Sequence, residues 1–129
     1  MKIQQCQELY DKADAAGRAA AAACRPTAMY VGSAKSIFGN EIDYSKPVEY
    51  VADGVCGFAW VNIKPGNSAF ANWLKMKKIA RRDEYYGGVT VWVSDYNQSM
   101  ERKMAYAGAF ARTLEAAGLK RVYAMSRMD

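Results

Sequence analysis

The sequence predicts a single α+β domain in which three helices pack against one mixed sheet of about four strands. Its 129 residues have the length of one domain, residues 1–129, and no linker or repeat divides them. Apolar residues make up 51% and charged residues 24%, which are the proportions of a globular protein rather than a disordered chain. Stretches with helical periodicity alternate with short β-branched runs, and this favours a sheet with helices packed on it.

The first predicted helix covers residues 3–24. Small and apolar residues recur there at three- and four-residue spacing and form one stripe: Ile3, Cys6, Tyr10, Ala13, Gly17, Ala20 and Cys24. Pro26 disfavours helical backbone at Arg25, so we expect the helix to end there. Residues 27–46 predict a short strand followed by a long loop that is rich in glycine and polar residues.

Two predicted strands, near 48–52 and 55–63, are joined by Asp53 and Gly54. This pair favours a type I′ turn, because both central residues of that turn need positive φ. We therefore expect the two strands to form a β-hairpin. Both faces of the second strand are largely apolar, which predicts a central strand covered on two sides.

The second half predicts two helix–strand units, with helices over 68–80 and 98–117 and strands near 88–94 and 120–126. Ser68 is a suitable N-cap for the first of these helices. Its inward stripe is predicted from spacing alone: Ala69, Trp73, Met76 and Ala80. If right-handed crossovers join the strands, those near residues 60, 91 and 123 run parallel. The strand order stays open.

Composition excludes several kinds of chemistry. Histidine is absent, which removes His-based triads, His-ligated metals and imidazole proton shuttles.

The net charge is +5, and it is unevenly spread: residues 1–63 carry 6 Lys and Arg against 7 Asp and Glu, whereas residues 64–129 carry 12 against 6. A positive field attracts nucleic acid, acidic proteins or anionic lipid. The sequence predicts no cofactor and no metal site.

The cysteines and the N-terminus indicate an intracellular protein. Cys6, Cys24 and Cys56 are odd in number and have no CxxC spacing, which is typical of thiols in a reducing compartment. The first residues, MKIQQCQEL, lack the apolar core of a signal peptide, and no apolar run reaches the length that spans a bilayer. We expect no membrane association.

The strongest candidate for a binding site is a basic run on the helix predicted over 68–80, with two tyrosines after it. On an extended helix the side chains of Lys75, Lys78 and Arg82 project opposite the Trp73 and Met76 stripe, and such a face can contact phosphates. A solvated helix face with cations near its C-terminus explains the same run. The residues predicted to contact nucleic acid are Lys75, Lys77, Lys78, Arg81, Arg82, Tyr85 and Tyr86.

Aromatic residues share this half of the chain, and exposed aromatics between cations stack single-stranded bases. Trp60 and Trp92 lie in apolar strands, so we expect them in the core. Alternation places Phe58 on the same strand face as Trp60. Tyr85 and Tyr86, next to two glycines in a connection, are expected on the surface.

Weaker candidates have simpler structural explanations. Cys56 lies between glycines, but no histidine is available to activate it, and its place in a strand predicts a buried, inert thiol. The start of the helix at Ser68 offers free N–H groups to an anion, although capping explains it. Carboxylates show no paired spacing and are expected to be solvated loop charges: Glu41, Asp43, Glu49, Asp53 and Asp95.

A resemblance covers about residues 56–129. The stretches GFAWVNIKPGNSAFANWLK, YYGGVTVWVSDYNQSMERK and AMSRMD resemble small hypothetical proteins encoded by tailed bacteriophages. The resemblance implies a phage origin and a setting in the cytoplasm of a bacterial host or in the virion. That group carries no assigned activity, so it transfers no functional residue.

Together these observations predict a small non-enzymatic binding or accessory protein whose partner is nucleic acid, contacted through the basic helix face, or another protein. The alternative is a structural or host-interaction protein that acts through an oligomeric surface, which the small residues of the first helix would favour. A small enzyme that uses carboxylates or Cys56 is the third hypothesis.

Overall fold

The computed structural model describes residues 1–32, 48–51 and 54–129. Within these residues the structure confirms the α+β class, with three helices and an antiparallel four-stranded sheet. The elements in chain order are α1 (Ile3–Ala23), β1 (Met29–Gly32), β2 (Val48–Val51), β3 (Gly57–Lys64), α2 (Ala69–Met76), β4 (Arg81–Arg82), β5 (Val89–Trp92), α3 (Met100–Ala116) and β6 (Arg121–Met128). The predicted helices over 3–24 and 98–117 are confirmed to within two residues at each end.

The four-stranded sheet has the order β4-β5-β3-β6, and every neighbouring pair is antiparallel. The chain from β3 onward therefore runs β-α-β-β-α-β, with β3 and β5 in the centre. This connectivity is that of a split βαβ fold. Residues of α2 and α3 share one core with one face of the sheet, and the opposite face of the sheet lies outside this core.

The predicted hairpin between the strands near 48–52 and 55–63 is wrong. β2 pairs with β1 in a separate two-stranded sheet, and β3 pairs with β5 on one side and β6 on the other. A central strand has no free edge left for β2. Gly54 does adopt a positive φ of 74°, while Asp53 lies outside the described residues.

The sheet is antiparallel rather than mixed, and the strand near residue 60 does not run parallel to the other two, whereas β5 and β6, each antiparallel to β3, do run in the same direction. β3 and β5 are joined through α2 and the edge strand β4, so the chain reverses once more than the prediction allowed. The extra reversal makes β3 and β5 antiparallel. The sequence did not predict this reversal, because β4 has only two residues, Arg81 and Arg82, and both were expected on a helix face.

The helix predicted over 68–80 ends early, at Met76. Lys78 has a φ of 59°, and the amide of Ile79 donates to the carbonyl oxygen of Leu74 at 2.9 Å. The amide of Lys78 donates to the carbonyl oxygen of Lys75 at 3.0 Å. These two hydrogen bonds form a Schellman motif, in which lysine takes the left-handed position that glycine usually holds.

The core lies between the sheet and the helices. From the sheet, Ala59, Val61 and Ile63 of β3 and Val89 and Val91 of β5 enter it. The buried residues of α2 are Phe70, Ala71, Trp73 and Leu74, so Met76, which is 61% exposed, and exposed Ala69 are not the inward positions that spacing predicted.

Helix α1 packs mainly against α3 through its small residues. Ala13, Gly17 and Ala21 are buried, and a Cβ atom at Gly17 would lie 2.6 Å from the ring of Tyr106. The Tyr106 hydroxyl donates to the Asp14 carboxylate. Burial and this carboxylate raise the pKa of Tyr106 far above its usual value, so the phenol stays protonated as a donor.

The C-terminal end of α1 is fixed by a side chain of α3. The Arg102 guanidinium donates to the carbonyl oxygens of Ala21 at 3.1 Å and Cys24 at 3.4 Å. A cation at this end satisfies orphan carbonyls and interacts favourably with the helix dipole. Helix α1 is thus held to α3 at both its middle and its end.

The contact between Gly17 and Tyr106 predicts opposite effects for the same substitution in two helices. Gly17→Ala lowers the free energy of unfolding by about 1 kcal/mol, because overpacking costs about 1–3 kcal/mol and exceeds the helix-propensity gain of about 1 kcal/mol. The new Cβ of Gly108→Ala, on α3, meets only the flexible Arg112 side chain, so this substitution raises the free energy of unfolding by about 1 kcal/mol. Urea unfolding measures both. Stabilisation by Gly17→Ala contradicts the close packing.

Candidate functional site

One face of the four-stranded sheet points away from α3, and we refer to it as the open face. Side chains alternate along a strand, so residues between the core positions of β3 lie on this face. They are Phe58, Trp60, Asn62 and Lys64 from β3, Thr90 and Trp92 from β5, and Tyr123, Met125 and Arg127 from β6. Both central strands thus carry tryptophan on the same side, directly opposite one another.

Three aromatic rings form a cluster at the centre of the open face. The rings of Trp60 and Trp92 stack at 5.5 Å between centroids and 7° between planes. Phe58 lies 5.5 Å from Trp92 at 40°. Trp60 is 8% exposed, whereas Trp92 is 46% exposed. Trp92 therefore covers Trp60 and is itself open to solvent.

The expectation of a buried Trp92 is wrong, while that of a buried Trp60 is confirmed. Val89 and Val91 face the core, and alternation then places Trp92 on the opposite side, which the helices leave uncovered. The prediction that Phe58 and Trp60 share a face is confirmed. Tyr85 and Tyr86 are on the surface, as expected, at 86% and 41% exposed.

A turn between β4 and β5, residues 83–88, covers one end of the open face. The Asp83 carboxylate accepts hydrogen bonds from the Thr90 hydroxyl at 2.6 Å and from the amides of Tyr86 at 2.8 Å and Tyr85 at 2.9 Å. The Thr90 hydroxyl, helped by these amides, holds the pKa of Asp83 below its usual value. The ionised carboxylate thus organises the turn.

The same turn is anchored to the centre of the sheet. The Asn62 side-chain amide donates to the Gly87 carbonyl oxygen at 2.8 Å. Gly87 and Gly88 have φ values of 79° and 65°, and a Cβ at Gly88 would lie 2.3 Å from the carbonyl oxygen of Ile63. These contacts bring the Tyr86 ring to 6.5 Å from that of Trp60.

The turn, the tryptophans and β6 enclose a groove of about 500 Å³. Its lining residues are Trp60, Asp83, Tyr85, Tyr86, Thr90, Trp92, Met125, Ser126 and Arg127. At the β6 side, the Arg127 guanidinium lies 5.5 Å from the centroid of the Phe58 ring. Lys103 of α3 is buried outside the groove, where its ammonium donates to the carbonyl oxygen of Gly57 and lies 5.5 Å from the centroid of the same ring. The groove combines an apolar floor with cationic charge at one end.

The basic helix face predicted from the sequence does not exist. Only Lys75 lies in α2, and Lys77 is its C-cap. Because the chain turns at Lys78, Arg81 and Arg82 belong to β4, where they point to opposite sides of the sheet. The structure therefore divides these five cations instead of aligning them.

Two separate hollows receive most of these cations. Lys78 and Arg81 line a hollow of about 420 Å³ together with Thr90 and Trp92 of the open face. Lys75 and Arg82 line a different one of about 560 Å³, with Asp83 and Glu84 among its other residues. Arg81 is opposite Thr90 in the register, and Arg82 is opposite the core residue Val89, which explains the division.

Cys56, Ser68 and Asp95, the weaker candidates, lie in the described part of the chain. Cys56 is exposed, so its expected burial is wrong: it lies just before β3, in an isolated bridge to Ser99. The Ser68 hydroxyl accepts from the amide of Ala71 at 3.2 Å, which confirms capping. Asp95 is 3.5 Å from Arg18 as an exposed ion pair. The side chains of the other predicted carboxylates lie outside the described residues: Glu41, Asp43, Glu49 and Asp53.

Comparison with known proteins finds no matching family model, no matching curated protein and no matching solved structure. Among residues 1–32, 48–51 and 54–129, no group of three or more His, Cys, Asp or Glu side chains is placed to hold a metal ion. In the same part of the chain, none of the helices has the length and apolar character needed to cross a bilayer.

Sequence reasoning missed Trp92, Asp83 and Arg127 as residues of the groove. The alternation of Val89, Thr90 and Val91 carried the signal for Trp92, because it places threonine and tryptophan together on the less apolar face. Arg127 was missed because β6 runs to Met128, beyond the predicted strand near 120–126. Nothing in the sequence signalled that the carboxylate of Asp83 folds back onto its own turn.

The Asp83 contacts predict a pH-dependent contribution to stability. The folded-state pKa lies below the unfolded one, so the contribution is present above pH 4 and is lost as pH falls through the folded value. Asp83→Asn destabilises the protein by about 1 kcal/mol at pH 7, discounted for solvent exposure, and by less at pH 2.5. Glu84→Gln is the matched control. Urea unfolding at both pH values measures the difference; a constant gap contradicts the role of the carboxylate.

Proposed function

We propose that this protein binds single-stranded nucleic acid on the open face of its sheet. The observation that carries the proposal is the half-exposed Trp92, stacked flat on Trp60 at the centre of that face. Exposed aromatic rings near cations are platforms on which unpaired bases stack. A four-stranded sheet with such aromatics is a common solution for single-stranded RNA.

The shape of the site favours a single strand over a duplex. A base must present its flat side to stack on Trp92, and in a duplex that side is already stacked on neighbouring pairs. The groove beside Trp92 has a floor of rings and a wall made by Tyr86, so it accepts a planar group rather than a helix backbone. Stacking is tolerant of sequence, since every base has a π face.

Cations on the open face flank the groove, which also contains the Asp83 carboxylate. Arg127 lies at the β6 side of the cluster, and the Lys64 ammonium is 5.7 Å from the Tyr123 ring on the same face. Phosphate contacts by such cations supply the sequence-independent part of affinity. Tyr85 and Tyr86, predicted as contacts from the sequence, flank the same groove.

The alternative of an oligomeric structural or host-interaction protein has less support. It rested on the small residues of α1, and Ala13, Gly17 and Ala21 are buried within the chain, with α1 packed on α3. Intrachain packing accounts for these residues without a second copy. The resemblance to phage proteins is consistent with an accessory protein of a phage, and we propose the host cytoplasm or the virion as its setting.

Substitution of Trp92 tests the proposal. Trp92→Ala weakens binding of a fluorescein-labelled oligothymidylate or oligouridylate by about 5- to 150-fold, because lost base–aromatic stacking costs about 1–3 kcal/mol. Trp92→Phe retains most of the affinity. Met76→Ala removes an even more exposed apolar side chain, 61% against 46% for Trp92, from α2 and leaves the affinity unchanged.

Fluorescence anisotropy measures the affinities, and thermal unfolding confirms that each variant is folded. Unlabelled single strands compete for the site, and a duplex of the same length does not. Failure of the wild-type protein to bind either oligonucleotide, or equal affinity of the wild type and Trp92→Ala, would refute the proposed function.

A further inference from the structure

We propose that Lys78 and Arg81, and not Lys75 and Arg82, hold the phosphates of the bound strand, so that the strand crosses the sheet from β6 to β4. This inference rests on the proposed function and adds a path and a set of phosphate contacts to it. It separates four residues that are close in sequence and identical in charge. They differ only in where the fold places them.

The direction of the path follows from the turn at residues 83–88. This turn covers the open face at the level of Asn62, where the Asn62 amide is hydrogen-bonded to Gly87, and the Tyr86 ring lies against Trp60. A strand that ran parallel to β3 would meet this obstruction. The groove instead extends across the strands, since its lining residues come from β6, β3 and β5 in turn.

The groove continues beyond Trp92 into the hollow that Lys78 and Arg81 line. The two concavities share Thr90 and Trp92, so the exposed ring lies at their junction. Three strand spacings separate β6 from β4, a distance of about 14 Å. Arg127 lies at one end of this path, and Lys78 and Arg81 lie at the other.

The charges around the two pairs of cations differ. None of the six residues that line the Lys78 and Arg81 hollow is acidic: Lys78, Ile79, Arg81, Thr90, Trp92 and Ser94. Lys75 and Arg82 share their hollow with Glu84 and with Asp83, whose carboxylate turns toward Thr90 and also lines the groove, so Glu84 is the acidic residue that distinguishes the two hollows. A phosphate gains more at the first pair than at the second.

Two features of the fold place Lys78 and Arg81 together. The left-handed turn at Lys78 ends α2 and directs the chain toward the sheet edge. Arg81 then pairs with Thr90, which fixes its side chain on the open face, while Arg82 opposite Val89 lies on the other. The functional separation of neighbouring cations is therefore a consequence of the helix end.

The salt dependence of binding distinguishes the two pairs. The double variant Lys78→Gln, Arg81→Gln lowers the slope of log affinity against log salt by about 1.4, because each single-strand phosphate contact contributes about 0.7. Lys75→Gln, Arg82→Gln is the matched control and leaves the slope unchanged. The conservative variant Lys78→Arg, Arg81→Lys keeps the wild-type slope, which shows that charge and not packing is responsible.

The probe is an oligothymidylate of about ten nucleotides, which is within the range that small single-strand-binding domains cover. Anisotropy titrations run at several salt concentrations, and circular dichroism verifies folding. This inference is overturned if the two Gln double variants lose slope equally, or if only Lys75→Gln, Arg82→Gln loses it. In either case the proposed function stands as long as binding still depends on Trp92. No binding by the wild type overturns both.

Discussion

The stack of Trp92 on Trp60 is the interaction on which the open face depends. β3 is one of the two central strands, and its alternate residues face the helices on one side and the open face on the other. Ala59, Val61 and Ile63 are covered by α3. Trp60 lies on the opposite face of β3, where α3 cannot cover it, so its burial requires another contact. That contact comes from the neighbouring strand and not from another layer, and the last ring in the stack stays in contact with water.

The turn at residues 83–88 is organised by one ionised carboxylate. It must bring Tyr86 toward Trp60 although β4 has only two residues with which to hold the hairpin. The backbone of Asp83 is hydrogen-bonded to Gly87 and Gly88 across the turn, and the Asp83 carboxylate adds three further hydrogen bonds by accepting from Thr90 and two backbone amides. Charge-assisted hydrogen bonds are about twice as strong as neutral ones, so a single ionised group can order a short turn.

Periodicity predicted α1, α3 and the three longer strands of the sheet to within two residues at each end, because these elements are long enough for burial to impose a pattern. It failed where a single backbone conformation decided the outcome. Lys78 in the left-handed region ends α2 four residues before the predicted end, and lysine carries no signal for that conformation. The misplaced helix end then put Arg81 and Arg82 on a helix face.

Strand pairing was the second feature that the sequence did not predict. The local signal of Asp53 and Gly54 favoured a hairpin, but β3 satisfies its backbone groups with two distant strands. Such long-range pairing is set by packing over the whole core and leaves no mark in a short window. Of the candidate site, the exposure of Tyr85 and Tyr86 was predictable, since glycines mark a turn. The position of Trp92 was deducible from alternation, but only by weighing Thr90 against its apolar neighbours.

The exposure of Trp92 has a calculable consequence for binding. An aromatic side chain presents about 150–250 Å² of surface, so a ring that is 46% exposed leaves roughly 100 Å² of apolar area in water. At about 25 cal/mol per Å², covering that area releases roughly 2–3 kcal/mol. This is the range that base stacking on an aromatic ring supplies, about 1–3 kcal/mol. The part of Trp92 that the fold leaves uncovered is therefore of the size that one planar ligand group covers, and the Trp60 ring, at 7° to that of Trp92, supports the plane on which such a group would stack.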